Sequence, residues 1–332
     1  MRRPNRADKC TIKIFLVFKK GYYQDRSPIE QFFILLALAF FSVFFVGIFG
    51  TLLLSVLSGI PIDQLSSLGS LKTNPSQLGV VIRALQFVQF VGLFLIPSLL
   101  AARLFSEAPA RQYLNLSKPF HPGFWLVGVS ALFFSIPLVQ WLGELNQAVE
   151  FPPVIAEWMK AKENEANDTV QSLLGLHTTK DLLLNIIFLA GLAGIGEELL
   201  FRGVLQQLFQ RLFGSVWPAI LLSAFLFSAM HMQFYGFLPR FVLGIVLGAL
   251  YWYSGSLLTA MLAHFAYDAL LIVLVYQRPV LLQEEPVVDM QTLMVTGLVS
   301  TLIVTLHIHW MLRHTRTNED QDHSSASSDL KS

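Results

Sequence analysis

Two adjacent glutamates, Glu197 and Glu198, stand inside a long apolar stretch, and Arg202 follows in the same stretch (Gly-Glu-Glu-Leu-Leu-Phe-Arg). An ionised side chain at the centre of a membrane helix costs roughly 2.5–3.5 kcal/mol on insertion scales, so such groups mark a site and require partners. Two further apolar stretches carry ionisable groups: His231, at the end of Phe-Ser-Ala-Met-His, and His264 with Asp268, in His-Phe-Ala-Tyr-Asp. Groups this costly are satisfied most cheaply by each other or by a shared water-filled cavity. On an ideal helix Glu198 and Arg202 lie one turn apart on one face and can pair. Glu197 is then turned about 100° away and is free to face a cavity. His264 and Asp268 share the same one-turn spacing, so both point at one place.

A carboxylate, two histidines and a second carboxylate fit three chemistries. The first is hydrolysis: a carboxylate takes a proton from water, one histidine positions the water, and the other donates to the developing oxyanion. The second is a catalytic metal, because Glu, His, His and Asp are all zinc ligands; the usual His-Glu-x-x-His signature is absent. The third is transport, with the same groups as a proton relay. A lone intramembrane histidine is more often a packing residue than a catalytic one, and Glu198 with Arg202 reads as a structural ion pair. The set of Glu197, His231, His264 and Asp268, spread over three stretches at comparable depth, is what points to a site. His307 and His309, two residues apart in the last apolar stretch, face different directions and read as interfacial. His121 and His177 fall in loops.

The elements that must position these groups follow from composition. Of 332 residues, 54% are hydrophobic and only 14% charged, with a mean hydropathy of +0.57; soluble domains carry about 25% charged residues. The chain therefore reads as an all-α, polytopic membrane bundle. The net charge of +1 gives no basis for a nucleic-acid partner, and a single cysteine, Cys10, allows no intramolecular disulfide. No signal peptide is evident. Apolar runs at 32–57, 84–102, 124–142, 182–210, 216–238, 241–253, 256–276 and 293–312 predict about eight spans, of which 241–253 is the weakest. Gly191, Gly194 and Gly196, and the Gly244/Gly248 pair, would let helices approach closely around the polar residues.

Basic residues predict the orientation. Arg2, Arg3, Arg6, Lys9, Lys13, Lys19, Lys20 and Arg26 outnumber the acids in 1–31, which reads as a cytoplasmic tail preceding a membrane domain at 32–313. The segment 143–181 is acidic and reads as a long outer loop, and the polar residues 314–332 read as a disordered cytoplasmic tail. Arg240 breaks this pattern, since it falls on the predicted outer side.

Taken in order, Glu-Glu-x-x-x-Arg at 197–202, Phe-x-x-x-His at 227–231 and His-x-x-x-Asp at 264–268 resemble the three motifs of the CPBP family of membrane proteases (CAAX prenyl protease type II, or Abi). The resemblance covers about 182–276. It implies an all-helical membrane fold, commonly of eight spans, and an endopeptidase without a nucleophilic side chain. By that likeness Glu197 is the general base acting with His231, His264 and residue 268 stabilise the oxyanion, and Glu198 and Arg202 support them. The third motif often ends in asparagine, whereas here it ends in Asp268, and an ionised carboxylate cannot donate to an oxyanion; protonation, orientation of His264 or metal binding are its open roles. The resemblance further implies a peptide or protein substrate, lipidated or membrane-bound, with no cofactor required and zinc the alternative. A bacterial inner membrane is the expected location. A non-catalytic bacteriocin-immunity or scaffold protein that keeps the motifs is the competing reading.

Overall fold

The computed structural model describes residues 19–65, 74–175, 178–282 and 288–315. The basic segment up to residue 18, the polar tail from 316 on, and His177 lie outside the described residues. Among the described residues there is no strand, and the protein is an all-α membrane bundle. Among the described residues, nine helices longer than one turn build it: α1 Pro28–Ser58, α2 Pro75–Leu104, α3 Gly123–Gln147, α4 Pro153–Leu174, α5 Thr179–Phe213, α6 Val216–Met230, α7 Phe237–Ser254, α8 Leu257–Gln277 and α9 Met290–His314. Seven are long and apolar enough to cross a membrane; α4 is too polar and α6 too short.

Local chemistry sets the boundaries. α1 starts at Pro28 rather than at the edge of the charge-free run, because Ser27 and Glu30 form a reciprocal capping box and proline occupies the first turn. It is apolar all round, and only Gln31, Leu35, Ser42 and Leu54 are buried, as expected of a helix that faces lipid along most of its length. Gln31 fastens it: Nε2 donates to Tyr23 O at 2.7 Å and Oε1 accepts from Arg211 Nη2 at 2.9 Å. α2 starts at an Asn74 cap, well before the expected edge at residue 84. Arg83 is thus inside the helix, only 4% exposed, and joins α2 to the start of α5 through Asn185 Oδ1 (2.8 and 3.0 Å) and Asp181 Oδ1 (3.0 Å).

Two expectations change where the site lies. The run 216–238 is not one span: α6 ends at Met230, Met232 adopts a positive φ of 56°, and α7 begins at Phe237. The turn between them is itself rich in apolar side chains (Met232, Phe234, Tyr235), so hydropathy runs through it unbroken. The weak segment 241–253 is consequently a full helix of 18 residues, and the preceding one has only 15. At 1.5 Å per residue α6 spans about 22 Å, short of the roughly 30 Å hydrocarbon core. His231 therefore caps the end of a short helix instead of sitting mid-span. The expected outer loop at 143–181 is also mostly helix, since α3 continues to Gln147 and α4 fills Pro153–Leu174.

Close backbone approach brings the functional helices together. A Cβ on Gly194 of α5 would lie 2.9 Å from Phe265 N of α8. A Cβ on Gly244 of α7 would lie 2.9 Å from that of Ala224 in α6. The glycines so lower the α5–α8 and α6–α7 separations, as the small-residue spacing predicts. α5 also departs from ideal helix, with π-helical turns at Ile186–Gly191 and Phe201–Gln206 on either side of the glutamates; such bulges often accompany functional sites.

Candidate active site

The site is assembled by α5, α6, α7 and α8. The innermost group is Glu198, which is fully buried beside Arg202, itself 1% exposed. Arg202 Nη1 donates to Glu198 Oε1 at 2.7 Å, so the pairing expected from their spacing is present. Arg202 is fixed further by Gly244 O, which accepts from Nη2 at 3.0 Å, and by the Phe227 ring, with the guanidinium carbon 4.6 Å from its centroid. One turn on, Gln206 Nε2 repeats the pattern by donating to Gly248 O at 3.0 Å. The Gly244/Gly248 pair therefore opens backbone carbonyls to polar side chains of α5 as well as seating α7 on α6.

His264 links this buried pair to the surface of a cavity. Its Nδ1 lies 2.9 Å from Glu198 Oε1. A carboxylate accepts, so Nδ1 carries the hydrogen and Nε2 is left to face Asp268 Oδ2 at 3.4 Å and Glu197 Oε2 at 3.9 Å. Glu198 thus holds both Arg202 and His264, which helical phase alone does not show. The two glutamates point in different directions from α5, yet a single imidazole reaches one with each nitrogen. Glu198 Oε2 and Arg202 Nε have no hydrogen-bond partner among the described residues.

Above His264 lies a cavity of about 350 Å³, lined among others by Glu197, His231, Arg240, His264, Tyr267 and Asp268. All four residues singled out in the sequence for chemistry face it, and Glu198 and Arg202 lie beneath it. His231 Nδ1 is 2.8 Å from Phe227 O; a carbonyl only accepts, so that nitrogen carries the hydrogen and Nε2 has the lone pair. Phe227 also packs edge-on against both His231 and His264, at 5.1 and 6.0 Å between centroids, and so sets the spacing of the two rings. Among the described residues no group of three or more His, Cys, Asp or Glu is arranged to hold a metal ion. His307 lies elsewhere: it binds Ser130 Oγ at 3.0 Å and Ile303 O at 2.8 Å, fastening α9 to α3.

Residues 179–270 match the family model described as type II CAAX prenyl endopeptidase, Rce1-like. The matched segment is similar to Rce1-like domains. It begins with α5 and ends inside α8, and it contains Glu197, Glu198, Arg202, His231, His264 and Asp268. Helices α1–α4 and α9 lie outside the matched segment. A protein of Bacillus subtilis (strain 168), the uncharacterized protein YpbD, is 35% identical over 95 residues, which cover 27% of this chain and 46% of that relative. The match thus spans about half the length of the curated relative. No solved structure matches the chain.

Sequence reasoning missed Arg240 and Tyr267, which line the cavity beside the motif residues. The signal for Arg240 was present, as a basic residue on the side where the charge pattern predicts none. Nothing in the sequence marked Tyr267, which is one of many aromatics.

Proposed function

We propose that this protein is a membrane endopeptidase that hydrolyses a peptide bond within or beside the bilayer, using water activated by Glu197. The observation that carries the reading is the convergence of Glu197, His231, His264 and Asp268, from three helices, on one cavity above a sealed Glu198–Arg202 pair. The match to the Rce1-like family supports the reaction class.

Glu197 accepts a proton from water, and the resulting hydroxide attacks the peptide carbonyl carbon. His231 offers the lone pair of Nε2 to the same water and aligns it. His264, protonated on both nitrogens, donates Nδ1–H to Glu198 and Nε2–H to the oxyanion. Collapse of the tetrahedral intermediate breaks the C–N bond, and Glu197 returns its proton to the leaving amine. The products are a carboxylic acid and an amine, which leave as carboxylate and ammonium once the acid's proton passes to the amine, and no side chain forms a covalent bond. Asp268 cannot donate to the oxyanion when ionised; its place 3.4 Å from His264 Nε2 suits it to hold the ring before substrate arrives. Arg202 and Glu198 hold the base of this arrangement. The substrate is a peptide or protein segment reaching the cavity from the membrane, lipidated or membrane-bound. The excess of basic residues ahead of α1 supports a cytoplasmic start of the chain, and the bacterial relative favours a bacterial inner membrane.

The test uses purified protein in detergent with a hydrophobic or lipidated peptide, comparing wild type with Glu197→Gln. Removing a general base lowers the rate by about 10²–10⁴, so the variant should lose cleavage while keeping its helical content and unfolding midpoint. A folded Glu197→Gln protein that cleaves at the wild-type rate overturns the assignment. Full cellular function from that variant favours the immunity or scaffold role instead.

A further inference from the structure

The mouth of the cavity holds a charge that this chemistry does not use. Arg240 lines the same cavity as Glu197 and His231 but stands apart from the Glu198–Arg202–His264 assembly. It is held firmly. Nη1 donates to Gln233 O at 3.1 Å and Nη2 to Gln233 Oε1 at 2.7 Å. Gln233 is fixed in turn by α4, with Nε2 donating to Glu163 Oε1 at 3.0 Å. The turn that carries Gln233 is clamped from α3, where Asn146 Nδ2 donates to Phe234 O (2.7 Å) and Asn146 Oδ1 accepts from Leu238 N (2.9 Å). Trp158 of α4 packs on Phe234 with ring centroids 5.2 Å apart.

The guanidinium is therefore oriented by a neutral amide. Among the described residues no carboxylate lies within ion-pair distance of it; Glu163 and Glu197 act on it at longer range, and Glu163 also through Gln233. Its two hydrogen bonds to Gln233 leave further N–H donors of the planar fork for a ligand. Arg202, in contrast, is buried against a carboxylate of its own. Holding a half-buried cation at a membrane cavity without a direct ion pair is costly, and three polar contacts from α3 and α4 keep it aimed. The cavity is also divided by sign, with Glu197 and Asp268 contributed by α5 and α8 and Arg240 by α7. A substrate carboxylate is repelled by the first wall and attracted to the second, which fixes the direction in which a peptide lies.

We propose that Arg240 is a specificity-determining residue that binds a carboxylate of the substrate, held for that purpose by the Gln233–Glu163 relay. This rests on the endopeptidase reading, and it supplies what that reading lacks, a chemical preference for the peptide. The carboxylate comes from an acidic side chain near the cleaved bond or from the end of the peptide chain, and the assay separates these.

Four matched peptides would be used: internal Glu or Gln, each with a free or an amidated C-terminus. Binding is read by fluorescence anisotropy on Glu197→Gln protein, where no turnover interferes, and cleavage is read on wild type. A charge-assisted hydrogen bond of ordinary strength predicts that loss of the recognised carboxylate weakens binding about tenfold to a hundredfold. That difference should vanish in Glu197→Gln/Arg240→Gln, persist in part with Arg240→Lys, and shrink with Gln233→Ala, which keeps the charge but frees it. The Gln arm and the amide arm show which carboxylate is read. Equal binding of all four peptides with Arg240 intact, or a preference that survives Arg240→Gln, overturns the inference. Should Arg240→Gln fail to fold, a preference unchanged in both Arg240→Lys and Gln233→Ala overturns it equally. A preference that depends on Arg240, found without cleavage by wild type, leaves carboxylate binding standing and removes the endopeptidase reading instead.

Discussion

Replacing Glu198 with alanine is the most demanding test of how the site is held. Glu198 Oε1 is shared by Arg202 Nη1 at 2.7 Å and His264 Nδ1 at 2.9 Å, and both partners are buried. Glu198→Ala leaves Arg202 with only the Gly244 carbonyl and the Phe227 face. Stranding one member of a buried ion pair costs about 3–5 kcal/mol. The lost charge-assisted bond to His264 is worth about 1.5–3 kcal/mol on its own, but the two are not additive because they share one oxygen. The expected loss is about 4 kcal/mol or more. Glu198→Gln keeps an acceptor oxygen and should lose less. Glu198→Ala/Arg202→Met removes both charges, and should be more stable than Glu198→Ala alone, because no uncompensated cation remains. Reversible unfolding in mixed detergent and dodecyl sulfate, followed by circular dichroism, measures all four proteins. A Glu198→Ala protein within about 1 kcal/mol of wild type, or a double variant less stable than the single one, would refute this account of Glu198.

Gly194→Ala places a methyl 2.9 Å from Phe265 N and pushes α8 away from α5, carrying His264 with it; misplacement of about 1 Å predicts a fall in kcat on the order of 10²-fold, and unchanged kinetics would show that the close approach does not position the ring. Asp268→Asn keeps a hydrogen-bonding group beside His264 and should retain cleavage within about tenfold, whereas Asp268→Ala should lose at least that much; an asparagine variant as impaired as alanine would mean that the negative charge is required. Among the described residues no group of three or more His, Cys, Asp or Glu is arranged to hold a metal ion, so prolonged chelation should leave cleavage unchanged, and a loss restored by zinc would refute a metal-free reaction.

Much of this arrangement was legible because membrane burial makes polar residues conspicuous. Glu197, His231, His264 and Asp268 stand out against an apolar background, and all four line one cavity. The all-α class follows from hydropathy with little ambiguity, whereas the boundary between α6 and α7 does not. What escaped has two physical sources. Hydropathy does not register a turn made of apolar residues, so the break at 231–236 was hidden, and with it the fact that His231 ends a short helix. Ideal helical phase treats each helix alone, so it paired Glu198 with Arg202 and left His264 to Glu197, although the imidazole bonds Glu198 at 2.9 Å and lies 3.9 Å from Glu197.

Arg240 shows the limit from the other direction. Its sign contradicts the charge rule for the side on which the sequence predicts it, and the cavity it faces accounts for the contradiction. The rule describes residues that interact with the membrane surface and its potential. A side chain fixed by Gln233 inside the bundle is stabilised by protein contacts, so the rule has no purchase on it. A basic residue that violates the expected asymmetry inside a motif-bearing segment is therefore a site signal of the same kind as the buried glutamates. It differs in one respect: Glu198 and Arg202 form a direct ion pair within the chain, whereas the Arg240 guanidinium is held by the Gln233 amide and keeps donors for an anion from outside.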